Sequence, residues 1–111
     1  MASDKRRASR FRIDQMIEMS FGREESLRCR GIDLSESGIL CRTDSAMEPG
    51  TRVFLLLSLS EGGDEEPISC EAAVARCTPA DSGFDVGLSF VDVPTGIGNR
   101  LRKYLVRRPR A

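Results

Sequence analysis

The stretch that decides the fold is Phe11–Phe21, which reads FRIDQMIEMSF. Apolar residues occupy most of its odd positions, and polar or charged residues occupy most of its even positions. A period of two is typical of a strand with one face in the core, because successive side chains of a strand point to opposite faces. We predict that this stretch is the first strand of a sheet, with Gln15 as the interruption of its apolar face.

The chain up to residue 93 repeats this pattern in short segments separated by turn residues. Gly22–Glu25, Pro49–Gly50 and Thr78–Gly83 are predicted turns, and residues 60–67 (SEGGDEEP) are a predicted flexible acidic loop. The predicted strands are residues 11–21, 27–33, 39–42, 51–59, 68–77 and 84–91. Short strands at regular spacing without intervening helices favour an all-β fold, a closed or nearly closed antiparallel barrel of about six strands.

The period changes after Pro94. Apolar side chains now recur at helical spacing, at Ile97, Leu101, Tyr104 and Leu105. This stripe predicts a C-terminal helix that packs against the barrel and covers an open end. The predicted organisation is therefore a flexible basic arm at 1–10, a barrel at 11–93, and an amphipathic helix with a basic tail at 94–111.

Composition narrows the classes of protein. The 111 residues carry no net charge, but basic residues gather at both ends and acidic residues in the middle. The longest apolar run, Val53–Leu57, is far shorter than the ~20 residues of a membrane helix, and the N-terminus does not read as a signal peptide. The four cysteines form no C-x-x-C pair and the chain lacks histidine, so we predict reduced, partly buried thiols in a cytoplasmic protein without a metal site. A disulfide framework is the weaker alternative, because nothing in the sequence indicates export.

Catalysis is disfavoured by the same inventory. The sequence has no histidine for general-base chemistry, no G-x-S-x-G nucleophile motif and no phosphate-binding Walker loop. Its carboxylates fall in predicted loops or on solvent faces of strands. We predict that the protein is not an enzyme.

Two stretches carry binding chemistry: residues 6–10 (RRASR), before the first strand, and residues 33–38 (DLSESG), at a corner between strands. Guanidinium groups present planar pairs of donors that match phosphate oxygens and the O6/N7 edge of guanine. Asp33 can accept from the guanine N1–H and amino groups, Ser35 can donate or accept, and Gly38 permits a close backbone approach. Together they describe a receptor for a phosphorylated guanine compound.

Each stretch also has an ordinary interpretation. An arginine-rich terminus is commonly a solvated tail or a loose nucleic-acid-binding tail. The pattern D-x-S-x-x-G is commonly a plain turn, because aspartate, serine and glycine are standard turn residues. Their joint occurrence on either side of the first predicted hairpin favours the receptor interpretation.

In these motifs the chain resembles the PilZ domain family. The family pattern R-x-x-x-R matches Arg6 and Arg10, and [D/N]-x-S-x-x-G matches Asp33, Ser35 and Gly38. The segment DVGLSF at residues 85–90 is similar to the closing G-x-x-F strand of the family. The resemblance covers roughly residues 5–93.

The resemblance implies a six-stranded PilZ-type barrel that binds the bacterial second messenger cyclic di-GMP and needs no cofactor. Arg6 and Arg10 would hold phosphates and guanine edges, and Arg7 would assist. Asp33, Ser35 and Gly38 would seat one guanine. Lys5 adds a charge beside Arg6, and one hypothesis is that this charge favours two stacked ligand molecules over one; the sequence leaves the number of ligands per chain open.

The expected mechanism is a disorder-to-order change. Residues 1–9 have few apolar groups to bury, so we expect the arm to be mobile without ligand and to fold over the barrel with it. A downstream protein partner would read the new surface. The alternative is a PilZ-fold interaction scaffold that ignores nucleotide and docks through its C-terminal helix. A nucleic-acid-binding barrel is disfavoured by the scarcity of aromatic residues and by the acidic loop.

Overall fold

The computed structural model describes residues 10–21, 25–58 and 67–106. Within these ranges the chain forms six strands and one helix. They are β1 (Phe11–Phe21), β2 (Glu25–Leu34), β3 (Gly38–Thr43), β4 (Arg52–Leu57), β5 (Ile68–Ala80), β6 (Gly83–Val91) and α1 (Thr95–Leu105). The predicted fold class is confirmed. The predicted acidic loop lies, apart from its last residue, outside the described residues, as does the arm before Arg10.

The six strands close into a barrel in the order β1-β2-β3-β6-β5-β4, and each neighbouring pair is antiparallel. Strand β3 therefore pairs with β6 and not with β4, which follows it along the chain. This crossover places the corner between β2 and β3 on the same side of the barrel as β6 and β5. The contacts between the corner and these two strands depend on it.

The core is filled by the inward face of each strand. In β4, for example, Val53, Leu55 and Leu57 are buried while the residues between them are exposed. The same alternation buries Ile17 and Met19 of β1, as the sequence predicted. The four cysteines are free thiols and three of them are buried.

Strand β5 is longer than predicted. The turn expected at Thr78–Gly83 is wrong in its first half, because Thr78 pairs with Asp85 and Ala80 pairs with Gly83 on β6. Thr, Pro and Ala at 78–80 look like turn residues in isolation, but pairing with β6 extends the strand. The turn itself spans residues 81–82, and Gly83 follows with a φ of 132° that glycine adopts readily.

Helix α1 packs against the barrel. Leu101 and Leu105 lie in the core, and Ile97 is half-buried against it, so the predicted stripe does cover the barrel. The Gln15 side chain faces this helix and donates a hydrogen bond of 3.1 Å to the Tyr104 hydroxyl. The residue that interrupted the apolar face of β1 is thus a polar contact to α1. In the described ranges, α1 falls short of the length and apolarity that a bilayer-spanning helix needs.

Candidate functional site

The corner between β2 and β3 is closed by Ser35. Its backbone N–H donates to the carbonyl oxygen of Gly38 at 2.9 Å. Its side-chain oxygen accepts from the backbone N–H groups of Ser37 at 3.1 Å and Gly38 at 3.2 Å. Ser35 is only 5% exposed, so this hydroxyl serves the turn rather than pointing into solvent.

The structure of the corner also explains why a glycine stands at position 38. A Cβ added at this position would overlap the carbonyl oxygen of Leu88 on β6. The strands are held this close by the β3–β6 ladder and by the hydrogen bond of 2.9 Å from the Phe90 N–H to the Ser37 carbonyl. The structure thus shows a close backbone approach at Gly38 between two strands of the barrel, whereas the expected approach to a ligand stays a prediction.

Asp33 is the motif residue whose side chain is left to face outward at this corner. The Nε of Arg10 lies 3.1 Å from its Oδ1, although the two residues belong to separate motifs. The carboxylate side chain is 14% exposed and the Arg10 side chain 45% exposed. The fold brings them together because β1 and β2 pair with Arg12 opposite Asp33, so the chain enters β1 beside this carboxylate.

The electrostatic setting of Asp33 combines burial with two cations. Burial raises the pKa of this carboxyl above its ordinary value, because a charge is poorly solvated there. The positive charges of Arg10 and then of Arg76 act on the pKa in the opposite direction and offset only part of the rise. A carboxylate in this setting gains from any ligand that donates hydrogen bonds to it.

Arg76 is the residue that the sequence analysis missed. It lies on β5, far along the chain from Asp33, and its side chain is exposed. The period-two pattern of β5, which buries Cys70, Ala72 and Val74, would have placed Arg76 on the inward face, and the register shift between Val74 and Arg76 turns it outward. The pattern could not show that β5 comes within electrostatic range of Asp33, because that depends on the crossover from β3 to β6.

The corner also contacts the C-terminal helix. Arg102 of α1 reaches Glu36, the residue after Ser35, with 3.1 Å between Nη1 and Oε1. Both side chains are about half exposed, so this pair contributes little stability by itself. It does mark a contact between α1 and the corner.

Four of the six predicted ligand residues lie at this corner. Arg10 and Asp33 form the ion pair, and Ser35 and Gly38 build the turn beneath it. Arg6 and Arg7 lie outside the described residues, as does Lys5. In the ranges that the structure does describe, no group of acidic or cysteine side chains could hold a metal ion.

A closed six-stranded barrel with an acidic corner beside arginines defines a class of small β-barrel binding modules. The PilZ domain family matches residues 4–107, so the chain belongs to the PilZ domain family. The resemblance found in the sequence is confirmed. No curated protein sequence matches the chain.

Solved structures share the fold. The Bacillus subtilis inhibitor of motility MotI/DgrA superposes with a TM-score of 0.82 at 21% identity, over 92% of this chain and 50% of that one. The PilZ domain of Escherichia coli YcgR, solved with c-di-GMP, gives 0.75 at 14% identity, over 94% and 91%. The Borreliella burgdorferi PlzA protein, in complex with c-di-GMP, gives 0.64 at 16% identity, over 86% and 39%. The chain thus spans half of MotI and less of PlzA.

Proposed function

We propose that this protein is a receptor for cyclic di-GMP that binds the ligand at the corner between β2 and β3. The observation that carries the proposal is the ion pair between Arg10 and Asp33, since it joins the two motifs at one point of the surface. Support also comes from the family and from the two similar structures that contain c-di-GMP.

Asp33 would recognise the guanine. Its carboxylate can accept hydrogen bonds from N1–H and from the amino group, whereas adenine offers an acceptor at N1. A guanine in this position would replace solvent around a carboxylate whose pKa is already raised by burial. Asp33 is therefore the proposed source of selectivity for guanine.

The arginines would hold the charged and acceptor groups of the ligand. Arg10 stands beside the guanine position and can donate to a base edge or a phosphate. Arg6 precedes it by four residues, so its Cα lies within about 14 Å of that of Arg10 in any conformation. That reach is enough for Arg6 and Arg7 to meet phosphates of a ligand seated at Asp33.

Ser35 and Gly38 take a different part in this proposal. The Ser35 hydroxyl already forms hydrogen bonds within the turn. The absence of a Cβ at Gly38 already permits the close approach of β3 and β6. They would serve the ligand by holding Asp33 and the corner backbone in position. The motif D-x-S-x-x-G is then one contacting residue carried on a rigid turn.

Signalling would follow from ordering of the arm. Folding residues 1–10 over the bound ligand has an entropic cost, which the phosphate and guanine contacts would offset. The surface formed in this way would be read by a protein partner. Circular dichroism would not resolve so small a change, but the protection of the arm against proteolysis on adding cyclic di-GMP would measure it.

Isothermal calorimetry with cyclic di-GMP tests the receptor proposal. Arg10→Ala and Asp33→Ala should each weaken binding at least tenfold, since a good arginine–guanine pair discriminates by about 1–3 kcal/mol. The matched controls are Arg52→Ala and Glu71→Gln, which break another outward ion pair, between β4 and β5. Wild-type protein that gives no heat, or an Arg10→Ala variant with unchanged affinity, would contradict the proposal.

A nucleotide-free interaction scaffold is the second candidate, and one observation favours it. Because Ser35 and Gly38 are needed for the structure of the corner, their presence in the sequence does not require a ligand. The predicted docking stripe on α1 cannot serve this candidate, since Leu101 and Leu105 are buried in the core. Thermal melting with cyclic di-GMP, GTP and a DNA oligonucleotide separates the candidates, because only a true ligand of the native state raises the melting temperature.

A further inference from the structure

A row of outward residues runs across the barrel from the proposed site. The strand pairings place Asp33 of β2 opposite Leu40 of β3, Leu40 opposite Gly87 of β6, and Gly87 opposite Arg76 of β5. The row therefore begins with a carboxylate and ends with a guanidinium. Between them lie one half-buried leucine and a glycine without a side chain.

The Arg76 side chain lies down across Gly87. A Cβ at position 87 would be 3.4 Å from Cγ of Arg76, 3.7 Å from Nε and 3.8 Å from Cζ. Three atoms along the side chain at nearly equal distance mean that it lies flat over Gly87 on β6. A larger residue at 87 would lift it, so the glycine of the G-x-x-F segment makes room for this arginine.

The Arg76 guanidinium is also available to bind a ligand. In the part of the chain that the structure describes, no carboxylate forms an ion pair with Arg76, whereas Arg10, Arg42, Arg52 and Arg102 each have one. Its charge nevertheless acts on Asp33 across the row. Arg76 is thus an exposed cation at the other end of the row from Asp33.

The spacing suits one purine. Asp33 and Gly87 are two strands apart, which is about 10 Å at the usual strand separation. That span has room for one base in hydrogen-bond contact with the Asp33 carboxylate and with the Arg76 guanidinium that covers Gly87. A guanine lying over Leu40 could present its N1–H edge to Asp33 and its O6/N7 edge to Arg76.

We propose that Arg76 is a specificity-determining ligand residue, which donates to O6 and N7 of a guanine held by Asp33 and packed on Leu40. The inference deepens the proposed function and rests on it. It extends the site beyond the two motifs to strands β3, β5 and β6. It also assigns Gly87 a positioning role, because the glycine lets the arginine lie flat.

Calorimetry with cyclic di-GMP tests this inference on three variants. Arg76→Ala should weaken binding roughly tenfold or more. Arg76→Lys should lose nearly as much, because a single ammonium cannot serve O6 and N7 together. The control is Arg52→Ala, because Arg52 is an equally outward arginine on β4. This variant should bind cyclic di-GMP like the wild type.

A ligand analogue with 7-deazaguanine bases supplies the decisive comparison. Removing N7 should weaken binding to the wild type but leave binding to Arg76→Ala almost unchanged, because the partner of N7 is already gone. Equal losses in both proteins would overturn the inference, and so would full affinity in Arg76→Ala or Arg76→Lys. If Asp33→Ala and Arg10→Ala lose binding while Arg76→Ala does not, only this inference fails. If the wild type binds nothing, the proposed function fails with it.

Discussion

Replacing Ser35 by alanine should destabilise the protein in the absence of any ligand. The hydroxyl oxygen accepts two backbone hydrogen bonds inside a corner where Ser35 is almost fully buried. Alanine leaves the N–H groups of Ser37 and Gly38 without this acceptor. A motif serine that only contacted ligand would, in contrast, be dispensable to the empty protein.

The expected cost follows from those two bonds. Each net hydrogen bond contributes about 0.5–1.5 kcal/mol, so the loss of both lowers the free energy of unfolding by about 2 kcal/mol. For a domain of this size 1 kcal/mol corresponds to about 4–8 °C in melting temperature. The variant should therefore melt roughly 10 °C below the wild type.

Urea unfolding of the ligand-free protein, followed by fluorescence or circular dichroism, measures this. The midpoint should fall while the m-value stays constant, because the surface exposed on unfolding does not change. Ser37→Ala is the matched control: its side chain bonds only to the Ser35 hydroxyl at 3.2 Å, so its loss should cost less than about 0.5 kcal/mol. A Ser35→Ala variant with the wild-type midpoint but without cyclic di-GMP binding would refute this reasoning. It would mean that the hydroxyl contacts the ligand directly.

Four further predictions concern the same region and the helix. Gly38→Ala should destabilise more than Ser35→Ala, by about 3 kcal/mol or more in urea unfolding, because its Cβ overlaps a strand carbonyl; a wild-type midpoint would contradict this. Asp33→Asn should leave the melting temperature at pH 7 equal or higher. Folding raises the pKa of the Asp33 carboxyl, so the protonated side chain is the form that favours the folded state. This contribution to stability is complete below the unfolded pKa of ~3.9 and is lost as pH rises through the folded pKa. For the same reason, cyclic di-GMP affinity should fall on acidification at a pH above that ordinary value, and calorimetry on Asp33→Asn should lose this pH dependence. Leu101→Ala should cost about 2–5 kcal/mol, since this residue is fully buried where α1 meets the barrel; a smaller loss would mean that the helix is not part of the core.

Much of the fold could be predicted from local pattern. Period-two alternation located the six strands, and the change to helical spacing located α1 and its buried stripe. The extent of β5 was predicted wrongly, since Thr78–Ala80 carry turn-forming residues and become strand only by pairing with β6. Local propensity is a weak constraint when a complete ladder partner is available.

The candidate site was predicted in part. The sequence alone singled out Arg10 and Asp33, and their ion pair lies where two separate motifs meet. It could not distinguish a ligand contact from a turn contact at Ser35 and Gly38, because the same residue types suit both. Hydrogen bonds within the corner and the nearness of Leu88 show the structural use of these two residues.

By itself, then, the sequence determined most of the residues that face inward, which motifs are present and which family the chain resembles. All of these are properties of short segments and are encoded by side-chain period and residue type. Only the tertiary structure decided that β6 and β5 lie beside the β2–β3 corner and that Arg76 covers Gly87 within electrostatic range of Asp33. Strand order and register arise from burial over the whole barrel, so no local stretch of the chain contains them.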